Sequence, residues 1–210
     1  CIASILIFMA MNALIYSPLQ AQEITFEAKT YISGNDTLPY RILYPENFKP
    51  RKKYPLVLVL HGAGERGSDN QKQLVHGSYL FLKENIRKDF PAVVVFPQCP
   101  QSSYWSNVRF EYDSAGRRKF VYTHGEEPTK AMNALMSFVK DLKSQRYIDQ
   151  QRMYIGGLSM GGMGTFELLS RMPDTFVAAF PICGGGHPAG TSAYAGKTSL
   201  WIFHGEDDSV

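Results

Sequence analysis

Five residues set the chemistry to look for. Gly157-Leu158-Ser159-Met160-Gly161 has the pattern Gly-x-Ser-x-Gly. It directly follows a strand expected at Met153–Ile155 and directly precedes a helix expected at Met160–Met172, stopped by Pro173. A serine on such a strand-turn-helix bend lifts its hydroxyl above the carboxyl edge of a sheet, where it meets a carbonyl. The bend leaves no room for side chains beside it, hence the glycines. The following helix aims its N-terminus at the same place, and its dipole favours a developing negative charge. In this context Ser159 reads as a nucleophile for acyl transfer. Out of context, the same glycines would mean only close helix–strand packing.

A tetrahedral intermediate needs backbone N–H donors for its oxyanion. One is expected from Met160, the residue after the nucleophile. The other is expected from Ala63 or Gly64 in His61-Gly62-Ala63-Gly64, the loop after an earlier strand. His61 itself is expected to orient this loop rather than act as a base. A carboxylate must orient the catalytic histidine, and the chain order on this scaffold is Ser, then acid, then His. His204-Gly205-Glu206-Asp207-Asp208 follows the last expected strand, Ser199–Phe203, and supplies three competing acids. The histidines are His61, His76, His124, His187 and His204, and none follows these acids. The base is therefore expected on a further strand-loop, so the chain reads as cut before its last strand and not as an inactive enzyme.

One motif is a decoy. Gly62-Ala63-Gly64-Glu65-Arg66-Gly67 also spells the dinucleotide fingerprint G-x-G-x-x-G. That fingerprint needs an acidic residue at the end of the next strand, about twenty positions on. Glu84 has the spacing but lies in a helical pattern, and the next strand ends in Phe96-Pro97-Gln98. The dinucleotide reading fails on this point.

The elements that must position these residues follow from periodicity. Glu23–Ile32 and Thr37–Tyr44 read as a two-stranded antiparallel hairpin around Ser33-Gly34-Asn35-Asp36. Leu56–Leu60 and Ala92–Phe96 are continuous apolar runs of the kind buried on both faces of a parallel sheet. Gln71–Asp89 and Pro128–Ser144 have helical spacing, and Phe176–Ile182 is another strand. Strands alternating with helices predict an α/β fold: a doubly wound, mostly parallel sheet with helices on both faces. Pro97–Glu127 shows no clear period and reads as a long connection. It carries Tyr104, Trp105, Phe110 and Tyr112 and leaves a strand end beside the nucleophile. Part of it, Trp105 first, is expected to line the substrate pocket.

Composition excludes several classes. A net charge of +3, with 22 basic and 19 acidic residues, is too small for a nucleic-acid partner, and there is no basic stripe. Three cysteines make no disulfide scaffold. Cys99 and Cys183 both follow buried strands, with two strands expected between theirs. The gap of about 14 Å is too wide for a disulfide. Residues 1–16 are almost wholly apolar, and Ser17–Gln22 turns polar with the small residue Ala21 at the expected cleavage position. This reads as a secretory signal peptide over residues 1–21 that lacks its positive start. Residues 22–210 then form the hydrolase domain, secreted or periplasmic, with no stable membrane association after cleavage.

With these motifs together, the chain resembles the α/β-hydrolase superfamily. The resemblance is carried by the elbow Gly157–Gly161 with Gly162 and Gly164-Thr165, by Pro181-Ile182-Cys183-Gly184-Gly185, and by His61–Gly67. It is similar to secreted bacterial carboxylesterases of the feruloyl-esterase, dienelactone-hydrolase and phospholipase/carboxylesterase kind. The resemblance implies a serine esterase that works through an acyl-enzyme and needs no cofactor or metal. It also implies that the triad acid is Asp208, with Asp207 as fallback, and that the substrate is a small or polysaccharide-linked ester. A prolyl-oligopeptidase-like peptidase, a polyester depolymerase and a non-catalytic binding module share the same motifs.

Overall fold

A computed structural model of the chain describes residues 25–208, Asn35 excepted. The expected signal peptide lies outside the described residues. The strands are β1 (Glu27–Ser33), β2 (Asp36–Leu43), β3 (Tyr54–Leu60), β4 (Val93–Pro97), β5 (Val108–Tyr112), β6 (Arg118–Tyr122), β7 (Ile148–Leu158), β8 (Ala178–Ile182) and β9 (Ser199–Leu200). Seven form one sheet in the order β1-β2-β4-β3-β7-β8-β9. β1, β2 and β4 pair antiparallel, and every later pairing is parallel. The predicted hairpin and the mostly parallel sheet are both present.

The two faces of the sheet differ. In β3, Tyr54, Leu56, Leu58 and Leu60 are buried, while Val57 and Val59 are half-buried. The first set meets the main core, built with helices α3 (Lys130–Ser144) and α4 (Met160–Arg171). Ala131, Leu135, Phe138 and Leu142 give α3 its buried face, and the Thr129 hydroxyl caps it by accepting from the Met132 N–H. Val57 and Val59 face a smaller cluster with Phe26, Val94, Phe96 and Phe81. The apolar run at Leu56–Leu60 is thus fully buried on one side only.

The helix expected over Gln71–Asp89 is broken. Lys72–Leu74 is a 3₁₀ turn, and α1 (Ser78–Leu82) and α2 (Glu84–Asp89) are separate. Gly77, at φ +78°, starts α1 in the left-handed region, and Lys83 is extended between the two helices. A short helix α5 (Thr191–Tyr194) follows β8. Among the described residues no helix is long and apolar enough to cross a membrane. Cys99 and Cys183 are free, with β3 and β7 between their strands. Burial pushes the Cys99 thiol up to about 12.

Candidate active site

The serine bend is one residue long. β7 ends at Leu158 and α4 begins at Met160, with Ser159 between them at φ +53°, ψ −113°. A non-glycine residue held there costs about 1–3 kcal/mol and persists only where the surroundings fix it. They do so here through backbone. The Ser159 N–H donates to the Ile182 carbonyl at 2.8 Å, and its own carbonyl accepts from Met163 at 3.0 Å. A Cβ on Gly161 would collide with the Leu60 carbonyl, and one on Gly157 would stand 2.7 Å from the same oxygen. A serine at a helix start ordinarily turns its oxygen onto the first-turn N–H groups. Ser159 makes no such cap bond, and its side chain is only half-buried.

The expected oxyanion loop lies beside this bend. Leu60 pairs with Gly157, and Gly62 approaches the Leu158 carbonyl. Ala63–Glu65 forms a 3₁₀ turn, with Ala63 half-buried and Gly64 exposed. Met160 is the first residue of α4, so its N–H is one of four without an intrahelical partner. His61 is buried, and both its nitrogens are engaged. Nε2 accepts from the Cys99 N–H at 2.9 Å, so Nδ1 carries the proton and donates to the Gly62 carbonyl at 2.6 Å. Burial lowers the ring's pKa from its usual 6.5. His61 ties the loop after β3 to the loop after β4. Arg66 adds a second tie by donating from Nε to the Ala63 carbonyl at 3.0 Å and from Nη1 to the Ser103 carbonyl at 3.1 Å.

The loop after β9, expected to carry the acid, reaches the same edge from the other side. Phe203 bridges to Ile182, and its carbonyl accepts from the Cys183 N–H at 2.8 Å. The chain then turns at Gly205, whose carbonyl accepts from the Asp208 N–H at 3.2 Å. Glu206 and Asp207 are exposed, whereas Asp208 is half-buried. Its carboxylate lies within hydrogen-bonding reach of the Cys183 thiol and 4.0 Å from His204 Nε2. Burial, with that carboxylate, raises the thiol's pKa. Cys183 adjoins Ile182, whose carbonyl accepts from the Ser159 N–H, so Asp208 meets the residue next to that bond while Asp207 is exposed.

Among the described residues, no histidine hydrogen-bonds the Ser159 hydroxyl. His76 stands 3.5 Å from Glu65. His124 and His187 stack with ring centroids 5.5 Å apart. They border a cleft of about 220 Å³ shared with Tyr122, Phe166 and Arg171. No group of three or more His, Cys, Asp or Glu among the described residues is placed to hold a metal ion.

Trp105, expected to line the substrate pocket, is a correction. It is 0% exposed; its ring packs edge-on to His61 at 5.5 Å and its Cβ sits where Gly164 of α4 has no side chain. It is a core residue beneath the elbow helix. Glu167 pins its segment to α4 by accepting from the Ser106 hydroxyl and the Asn107 N–H, both at 2.9 Å. The rest of that connection is not structureless. It folds into the antiparallel hairpin β5–β6, turning at Asp113–Gly116. Tyr122 at its inner end packs on Gly185 and was not among the expected site residues. Burial, chiefly, pushes its hydroxyl up to about 12.

Sheet order and a one-residue serine bend between β7 and α4 define an α/β-hydrolase. Within that class the chain belongs to the esterase family, whose model, described as "Putative esterase", matches residues 33–201. A solved structure of a thermostable esterase superposes with a TM-score of 0.74 at 36% identity, covering 89% of this chain and 48% of that one. The bifunctional acetylxylan esterase/xylanase XynS20E of Neocallimastix patriciarum is 28% identical over 166 residues, 79% of this chain and 21% of that protein. Poly(3-hydroxyalkanoate) depolymerase C of Paucimonas lemoignei is 30% identical over 146 residues, 70% of this chain and 31% of that protein. The chain thus spans about a fifth to a third of these two curated relatives.

Proposed function

We propose that the protein hydrolyses carboxylic esters through an acyl-enzyme on Ser159. One observation carries this: a serine held at positive φ on a one-residue bend, at a helix start, whose hydroxyl does not cap that helix. Such a hydroxyl is displayed for reaction at a cost in backbone strain. In the proposed cycle Ser159 Oγ attacks the ester carbonyl and its proton passes to a histidine. The Met160 and Ala63 N–H groups, with Gly64 beside them, hold the oxyanion. The alcohol leaves with that proton, and water then releases the acid from Ser159 by the same route. Asp208 is proposed to orient the histidine. His204 stands nearest it, but on this scaffold the base follows the acid in sequence. The reading extends to export, with residues 1–21 removed as a signal peptide.

The likeness to the Paucimonas depolymerase favours a polyester as a second substrate class. A fluorophosphonate probe tests the central claim. In an active preparation it should modify one residue, and peptide mass spectrometry should place the adduct on Ser159. An adduct elsewhere, or activity that survives with Ser159 fully modified, overturns the reading.

A further inference from the structure

We propose that the β5–β6 hairpin docks an acidic polysaccharide, a chain of sugar rings bearing carboxylates, alongside Ser159. This rests on the ester-hydrolase reading and names its substrate class. The pairs Val108–Tyr122, Phe110–Phe120 and Tyr112–Arg118 stand opposite each other, so these six side chains share one face of the hairpin. The inner end of that face meets both flanks of the serine site. On one flank Tyr104 packs on Phe110 at 5.8 Å and lies under the Arg66 guanidinium at 5.3 Å, and Arg66 holds the Ala63 carbonyl. On the other, Tyr122 packs on Gly185, two residues past the cysteine that meets Asp208.

Further out the face is aromatic and open to water. Phe110 is 43% exposed and Tyr112 69%. A two-stranded hairpin builds no core of its own, so aromatic rings left on its surface point to a partner. The apolar C–H faces of sugar rings stack on such rings. Charge selects among polymers. Arg109 pairs with Glu126 at 2.7 Å, Arg117 pairs with Asp113 at 2.8 Å, and Lys119 stands opposite Glu111. Arg118 forms no ion pair among the described residues. Its guanidinium lies 4.6 Å over Phe120 and 5.5 Å over Phe110. A planar cation fixed on an aromatic platform presents a fork of N–H donors matched to a carboxylate.

Affinity electrophoresis of the Ser159→Ala protein tests this in gels holding glucuronoxylan or the same polymer after chemical reduction of its carboxyl groups. Retardation is expected in the acidic gel and should be lost in the reduced one. Arg118→Gln should weaken binding at least about fivefold, and Arg118→Lys should restore part of it. Circular dichroism confirms the fold of each variant. Equal retardation by both polymers, retardation by neither, or an Arg118→Gln variant that binds like its parent overturns the proposal. Phosphonate labelling of Ser159 judges the ester-hydrolase reading separately, because binding in these gels needs no turnover.

Discussion

The carboxyl ends of β7 and β9 lie two places apart in one sheet, and they are built in opposite ways. At β7 the chain is wedged between neighbours: Leu60 on one side, Ile182 on the other, and glycines where backbones touch. At β9 one side is bonded, with Trp201 and Phe203 N–H groups donating to Ala179 and Pro181 at 2.9 and 3.1 Å. Backbone contacts on both sides set the position of Ser159, the proposed nucleophile. Asp208, the proposed acid, rests on one turn and the Cys183 thiol. The two ends of the same site should therefore respond differently to substitution.

The largest contrast is chemical. In an active preparation Ser159→Ala should lower kcat by on the order of 10⁵–10⁶ with an unchanged melting curve. Asp208→Asn should lower kcat by about 10⁴, while Asp207→Asn should leave it unchanged. Equal losses in both would break the assignment drawn from the inward turn of Asp208. Next comes packing beneath the elbow. Trp105→Ala should cost about 3–5 kcal/mol in chemical denaturation, the penalty of a large core cavity. A loss below 1 kcal/mol with altered ester preference would return Trp105 to the pocket. His204→Ala should leave kcat unchanged on p-nitrophenyl acetate; a collapse of turnover would make His204 the base.

The elbow was legible in sequence because its requirements are local: a strand, glycines, a serine and a helix in succession. The parallel strands were legible for the same reason. Trp105 was misread because its burial depends on Gly164, which lies on a different element and has no side chain there. The β5–β6 hairpin was missed although Val108, Phe110 and Tyr112 alternate around polar residues. Its strands are largely exposed, so the usual apolar weight of a strand is absent. The helix over Gln71–Asp89 was over-extended because spacing alone does not show that Gly77 adopts positive φ.

The engagement of both His61 nitrogens makes the seam between two loops sensitive to acid. The seam between the β3 and β4 loops needs Nε2 bare, since a proton there would face the Cys99 N–H donor. The buried ring's pKa lies below 6.5, so its contribution to the fold is complete above about pH 6.5 and drains away as pH falls toward the folded value. Acid should thus loosen this seam, and with it the backbone around Ala63. The protection factor of the Cys99 amide, after correction for the slower intrinsic exchange in acid, should fall on acidification before that of the Ser159 amide.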